Sequence, residues 1–322
     1  MRKVNLIFYS LCFFITILNL CCRQVKTEEK NTVPHKPGCY SCTITCKDLE
    51  RTFDIFIPST YNKSRTVPLV IAIHGGYGNA KSMEKLTGFC KLAEKETFII
   101  VYPEGIDKQW NDGRKMDEKA SKENIDDVGF ISSLIDHLEK NINIDRNRVY
   151  ATGISNGGHM CYRLAFELSD KITAFAPVSA SLSEELYKNH KESKAFPLLI
   201  MNGTEDKVVW NGGEIKFLGK SRDRVLSTED TVKFWVSYNH CKPQARIIVI
   251  PDKDREDGTK VEEKIYSEGK NGTEVILYTI EGGGHTWPGG WQYLPENIVG
   301  KTCRDINASE VIWEFFRDCK KI

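Results

Sequence analysis

The 322-residue sequence has almost no charge of one sign to spare: 45 lysines and arginines face 44 aspartates and glutamates, for a formal net charge of +1. A nucleic-acid binder needs a clear basic excess, so nucleic acid is excluded as a partner. Glycine (24) and proline (11) are too few for a collagen-like or low-complexity chain. No segment repeats, and no Pro/Gly-rich linker divides residues 39–322, which reads as a single domain. What is present, 40% apolar and 28% charged residues, suits a soluble globular protein with a large core.

The first twenty residues differ from the rest. Arg2 and Lys3 precede an apolar run from Leu6 to Leu20. A basic tip before about 15 apolar residues is a secretory signal, short of the roughly 20 that a spanning helix needs. No A-x-A-like cleavage site follows, but Leu18-Asn19-Leu20-Cys21-Cys22 resembles a loose bacterial lipobox, with a large Leu20 where a small residue is usual. Three outcomes are open: lipidation at Cys21 or Cys22, simple secretion, or an uncleaved anchor. The expected division is a signal peptide over 1–21, a flexible polar tether over 22–38, and a catalytic domain over 39–322. Location is then outside the cell or on an outer or periplasmic surface, with membrane attachment through an N-terminal lipid in one reading.

Eight cysteines from Cys39 onward, in an exported chain, predict disulfides of undetermined connectivity. The rival is a zinc site at Cys39, Cys42 and Cys46, for which His35 is the only adjacent fourth ligand. Cys90 and Cys161 fall in helical patterns and read equally well as buried thiols.

After the tether, Phe53, Ile55 and Ile57 alternate with polar residues as in a half-exposed strand, and residues 67–73 form a continuous apolar run, as in a strand buried on both faces. Helical patterns over 82–93, 127–139 and 156–168 then alternate with apolar runs at 98–102, 148–152, 175–178 and 197–201, and a last helix covers 308–316. Strands alternating with helices predict an α/β fold with a mostly parallel sheet covered on both sides. Between apolar runs at 245–250 and 261–266, the charged stretch 252–260 with Asp257-Gly258 predicts a solvated β excursion.

Chemistry concentrates at Gly153-Ile154-Ser155-Asn156-Gly157, directly after a strand and before a helix. A serine hydroxyl attacks poorly unless a sharp turn lifts it to where a base reaches it. Glycines two before and two after allow that turn, so Ser155 is the candidate nucleophile and the segment a nucleophile elbow rather than a turn with an N-capping serine.

The base should follow an acid in chain order. His285, in Gly282-Gly283-Gly284-His285-Thr286-Trp287 after an apolar strand, is the candidate base; His35, His137, His190 and His240 lie in polar stretches, and His159 sits on the elbow helix. Asp206, in a turn at a strand's carboxyl end, is the candidate acid, with Asp230, Asp223 and Glu205 as alternatives. The oxyanion donors should be the amide of Asn156 and one from the loop His74-Gly75-Gly76-Tyr77-Gly78, either Gly76 or Tyr77, with His74 bracing that turn. Asp126 and Asp127 read as caps of the helix they open. Trp110 and Trp287 are candidate aromatic walls of a substrate pocket.

The sequence resembles the extracellular polyhydroxybutyrate depolymerase and feruloyl esterase group of α/β-hydrolases. The resemblance rests on Leu69-Val70-Ile71-Ala72-Ile73-His74-Gly75-Gly76, Val101-Tyr102-Pro103-Glu104-Gly105 with Trp110-Asn111, Asp126-Asp127-Val128-Gly129-Phe130 and the segment from Arg148 to Gly158. Asn202-Gly203-Thr204-Glu205-Asp206 and Gly283-Gly284-His285-Thr286-Trp287-Pro288-Gly289 complete it, in family order across roughly residues 50–315. It implies an α/β-hydrolase fold, a triad of Ser155, Asp206 and His285, no metal and no cofactor. The activity it implies is hydrolysis of carboxylic esters, either hydroxycinnamoyl or acetyl esters of polysaccharide or short polyhydroxyalkanoates. No segment reads as an appended polymer-binding module, which weighs against insoluble polyester. A serine peptidase and a non-catalytic surface protein of the same fold are the rival classes.

Overall fold

The computed structural model describes residues 26–27, 32–191, 194–217 and 220–321. The signal and lipobox segment lies outside the described residues. Among those described, no helix is long and apolar enough to cross a membrane.

The described strands are β1 (Lys26–Thr27), β2 (Gly38–Cys46), β3 (Leu49–Ile57), β4 (Val67–Ile73), β5 (Ile99–Pro103), β6 (Ile144–Ile154) and β7 (Ala174–Val178). They continue with β8 (Leu198–Gly203), β9 (Val209–Trp210), β10 (Glu214–Phe217), β11 (Lys220–Arg224), β12 (Arg246–Val249), β13 (Lys260–Tyr266) and β14 (Val275–Glu281). Eleven form one sheet in the order β1-β2-β3-β5-β4-β6-β7-β8-β14-β13-β12, while β9, β10 and β11 make a small separate sheet. The centre, from β5 through β14, is parallel; β2-β3-β5 and β14-β13-β12 add antiparallel flanks. This is the α/β-hydrolase fold.

Strand β4 is buried at every residue, as its unbroken apolar run predicts. Leu69, Ile71 and Ile73 enter one core and Val70 and Ala72 the other, so alternate side chains feed two layers of helices on opposite sides of the sheet. The helix predicted over 82–93 is two helices, Ala80–Thr87 and Phe89–Glu96. Gly88, at φ 64°, ends the first: its N–H bonds to the Glu84 carbonyl and the chain turns left-handed, a conformation glycine adopts without steric penalty.

Three expectations are corrected. The described part of the predicted tether is docked: Lys26–Thr27 pairs with β2, and Val33 is buried in the core. Among the described residues no disulfide forms. The cysteines divide between the two sides of the sheet: Cys42, Cys46, Cys161 and Cys241 belong to one core, and Cys39, Cys90, Cys303 and Cys319 pack on the other side. That alternation along β2 also sends Cys39 away from Cys42 and Cys46, so the three do not converge. Finally, β12 and β13 pair as the charged excursion predicts, but Asp257 in their connection is buried rather than solvated. Its carboxylate accepts the amides of Thr259 and Arg304, tying the connection to the segment before the final helix.

Candidate active site

The parallel centre of the sheet ends on one side in four loops that carry the predicted residues, at the carboxyl ends of β4, β6, β8 and β14. At the end of β6 the chain turns at Ser155 with φ 57° and ψ −122°, a backbone region costly for a non-glycine residue. It is held there by its N–H to the Val178 carbonyl (3.0 Å) and by its own carbonyl, which accepts from His159 N (2.8 Å). A Cβ on Gly153 would lie 2.6 Å from the Gly157 carbonyl oxygen and 2.7 Å from that of Ile73, and one on Gly157 would overlap the Ile73 carbonyl. Both glycines are therefore required by the close approach of β4 to the turn. Ser155 starts the helix Asn156–Glu167 but makes no side-chain cap, and its Oγ has no hydrogen-bond partner among the described residues.

His285 is buried, and its Nδ1 lies 2.7 Å from Asp206 Oδ2. A carboxylate only accepts, so Nδ1 carries the proton and Nε2 bears the lone pair. Asp206 is fixed in turn by two amides on its other oxygen, Val208 N at 2.8 Å and Val209 N at 2.7 Å. Tyr293 Oη donates to the His285 carbonyl at 2.7 Å and anchors the loop. Of the alternative acids, Glu205 is exposed, Asp230 is engaged with Ser227 at a helix start, and Asp223 sits on β11. Ser155 and His285 line one cavity of about 700 Å³.

The loop after β4 supplies the opposite wall. His74 is buried; its Nδ1 donates to the Gly75 carbonyl (2.8 Å) and its Nε2 accepts from Gly105 N (3.0 Å), which is the bracing role expected of it. The Tyr77 amide donates to the Lys108 carbonyl at 2.9 Å and is thereby spent. The amides of Gly76 and Asn156 have no acceptor among the described residues, and both residues line the cavity.

Trp110 and Trp287 are not walls of the cavity. Trp110 Nε1 donates to the His74 carbonyl (3.0 Å), and Trp287 Nε1 donates to Ser309 Oγ (3.1 Å); both rings are buried as loop anchors. Each indole gains more by burying its ring and satisfying its one donor inside than by facing solvent. The aromatic residues that line the cavity are Tyr77, Trp291 and Tyr293, with Trp291 half-exposed under Lys85 Nζ, 4.3 Å from the ring.

The sequence reading also passed over a buried polar frame behind the elbow. Asn156 Oδ1 accepts from Trp110 N (2.8 Å), while its Nδ2 donates to the Trp110 carbonyl (3.1 Å) and to Asp112 Oδ2 (2.6 Å). Burial by itself would raise the Asp112 carboxyl, but the Arg114 guanidinium, 2.6 Å away, holds it below the usual range. Asp126 caps its helix through Gly129 N, as expected, but Asp127 has other work: it pairs with buried Arg51 (2.7 Å) and accepts Asn111 N (2.7 Å). Together these bonds lock the loop 109–114 against the elbow. The adjacency of Asp112-Gly113-Arg114 to the motif residues Trp110-Asn111 was the available signal, but isolated charges in a loop have no periodicity to betray burial.

Burial holds the His74 ring down to about 4, and burial together with the nearby Arg114 charge holds His159 to about 3, against an ordinary 6.5. The unfolded chain therefore binds more protons below pH 6.5, and stability is present in full above that value. It is lost as pH falls, to about 4 for His74 and about 3 for His159. The urea midpoint is expected to drop between about pH 7.5 and about pH 5; an unchanged or higher midpoint at the lower pH would contradict this.

The chain matches the family model described as Esterase PHB depolymerase over residues 52–191. It is 28% identical over 267 residues to NocK of Nocardia uniformis subsp. tsuyamanensis, a protein inferred to be an esterase, covering 77% of this chain and 73% of that one. It is 28% identical over 249 residues to feruloyl esterase B of Piromyces equi, covering 74% of this chain but 44% of the relative. Over that segment and these relatives the chain is similar to the polyhydroxybutyrate depolymerase and feruloyl esterase group. It is a carboxylic ester hydrolase. This esterase spans about three quarters of the first relative's length and under half of the second's. Its fold is shared with a solved acetyl xylan esterase from Aspergillus awamori at a TM-score of 0.54 and 14% identity, over 83% of this chain and 94% of that one.

Proposed function

We propose that the protein is an exported serine esterase working through Ser155, His285 and Asp206 and an acyl-enzyme. The observation that carries this reading is the single cavity onto which a strained, uncapped Ser155 and an Asp206-bound His285 both open. As Ser155 Oγ attacks the ester carbonyl, its proton passes to His285 Nε2; the alcohol then leaves with that proton. Water, deprotonated by the same nitrogen, attacks the acyl-enzyme, and the returned proton restores Ser155 as the acid departs. Asp206 keeps the imidazole in the required tautomer and stabilises its charged form. The amides of Gly76 and Asn156 receive the oxyanion of each tetrahedral intermediate. The Ser155–His285 hydrogen bond closes on substrate, since such bonds are often long in the free enzyme.

The substrate is an acyl ester of plant polysaccharide, of feruloyl or acetyl type, a reading supported by the similarity to the Piromyces esterase and by an open cavity edged with exposed Trp291. The signal-like residues 1–21 support export. A panel of p-nitrophenyl esters beside peptide anilides tests the reaction class. Turnover of the esters is expected to exceed that of the anilides by at least a hundredfold; the reverse order would assign a peptidase.

A further inference from the structure

The cavity lining is mixed: it includes the apolar Met83, Leu86 and Ile215 and the polar Arg114, Glu118 and His159. Two side-chain atoms of these lining residues, Glu118 Oε2 and His159 Nε2, are buried without a hydrogen-bond partner among the described residues. Both are acceptors. For His159 the neighbours decide this: its Nδ1 lies 2.8 Å from the Ser181 carbonyl oxygen, which cannot donate, so Nδ1 carries the proton and Nε2 is a bare lone pair. Arg114 turns its Nε and Nη2 to Asp112 and makes no hydrogen bond to either atom among the described residues. Buried acceptors without donors destabilise a fold and are rare in native proteins, so two of them on residues lining one cavity point to donors that arrive with a ligand. His159 follows Ser155 by four residues on the same helix, about 6 Å along its axis, which is the span of a single ring.

We propose that Glu118 and His159 form a subsite that accepts hydrogen bonds from hydroxyl groups of the substrate. The subsite thereby selects hydroxyl-bearing esters over esters of the same shape without them. The inference rests on the esterase reading above and adds the chemistry recognised beside the reacting bond. The hydroxyl has two possible sources, the acid or the alcohol of the ester. Each leaves the same signature at this subsite: a donor where the protein supplies none.

Two pairs of substrates separate the sources. On the acid side, methyl 4-hydroxycinnamate is compared with methyl cinnamate; on the alcohol side, a monoacetylated methyl glycoside is compared with cyclohexyl acetate. The wild-type protein is expected to favour the hydroxylated member of one pair by about tenfold or more in kcat/KM, because an analogue lacking the hydroxyl leaves the buried acceptors unpaired. In His159→Phe and in Glu118→Leu that ratio is expected to fall to within about threefold of unity, and a ratio is read independently of how much active protein each variant yields. The pair that shows the preference identifies the source. Equal turnover within both pairs by the wild type overturns the subsite alone, as does a preference that both variants retain. Turnover of no ester whatever overturns the esterase reading and the subsite with it.

Discussion

Replacing Ser155 by alanine is expected to lower kcat toward a p-nitrophenyl ester by about 10⁴- to 10⁶-fold and to abolish covalent labelling by a fluorophosphonate. The expectation is large because everything around this residue serves its hydroxyl. The turn is held in an unfavourable backbone conformation by glycines that admit neighbouring carbonyls, and the helix begins without the cap that a serine usually provides. The Oγ has no other partner among the described residues, so its removal costs no structural hydrogen bond, and the alanine variant should unfold at close to the wild-type midpoint. KM should change little, since binding and the oxyanion amides remain. Turnover within tenfold of wild type, or labelling that persists in the variant, would remove Ser155 from the mechanism.

Asp206→Asn is expected to cost about 10³- to 10⁴-fold in kcat with little loss of stability. The orientation of the new amide is decided by the surrounding backbone. One oxygen of Asp206 accepts two N–H groups, from Val208 and Val209, so the carbonyl oxygen of asparagine must take that position. Its NH2 group then faces His285 Nδ1, which lies 2.7 Å from the present carboxylate. A donor there forces Nδ1 to accept and moves the ring proton to Nε2, so the nitrogen that should take the serine proton already holds one. The readout is kcat on an ester, with thermal unfolding as a check on the fold. A decrease of less than tenfold would show that Asp206 does not govern the tautomer.

Much of this was legible in the sequence because it follows local rules. The apolar run of β4 announced a strand buried on both faces, and the two cores that take Val70 and Leu69 bear this out. The elbow is a five-residue pattern whose glycines are dictated by contacts with the neighbouring strand, so it announces itself wherever a strand precedes and a helix follows. What was misread depended on contacts between distant segments. Trp110 and Trp287 are adjacent to site residues along the chain, yet their donors are taken by His74 and Ser309, and their rings turn inward. Asp127 shares its position in the helix with its capping neighbour, but Arg51, 76 residues earlier, claims it. The even count of cysteines suggested disulfides, but the fold divides them between the two sides of the sheet.

Local patterning along the chain was enough for the alternation of buried strands and helices through the parallel centre, the candidate residue types, and the reaction class. Hydrophobic period, turn glycines and motif spacing act over a few residues and need no partner to be read. Convergence of distant segments was needed to see which of several acids binds His285, which amide beside Gly75 is left without an acceptor among the described residues, and that Glu118 and His159 line one cavity with acceptors unfilled. Hydrogen bonds satisfied or left open are a property of convergence in space: whether Tyr77 N is spent depends on Lys108, and no local pattern around either residue records the other.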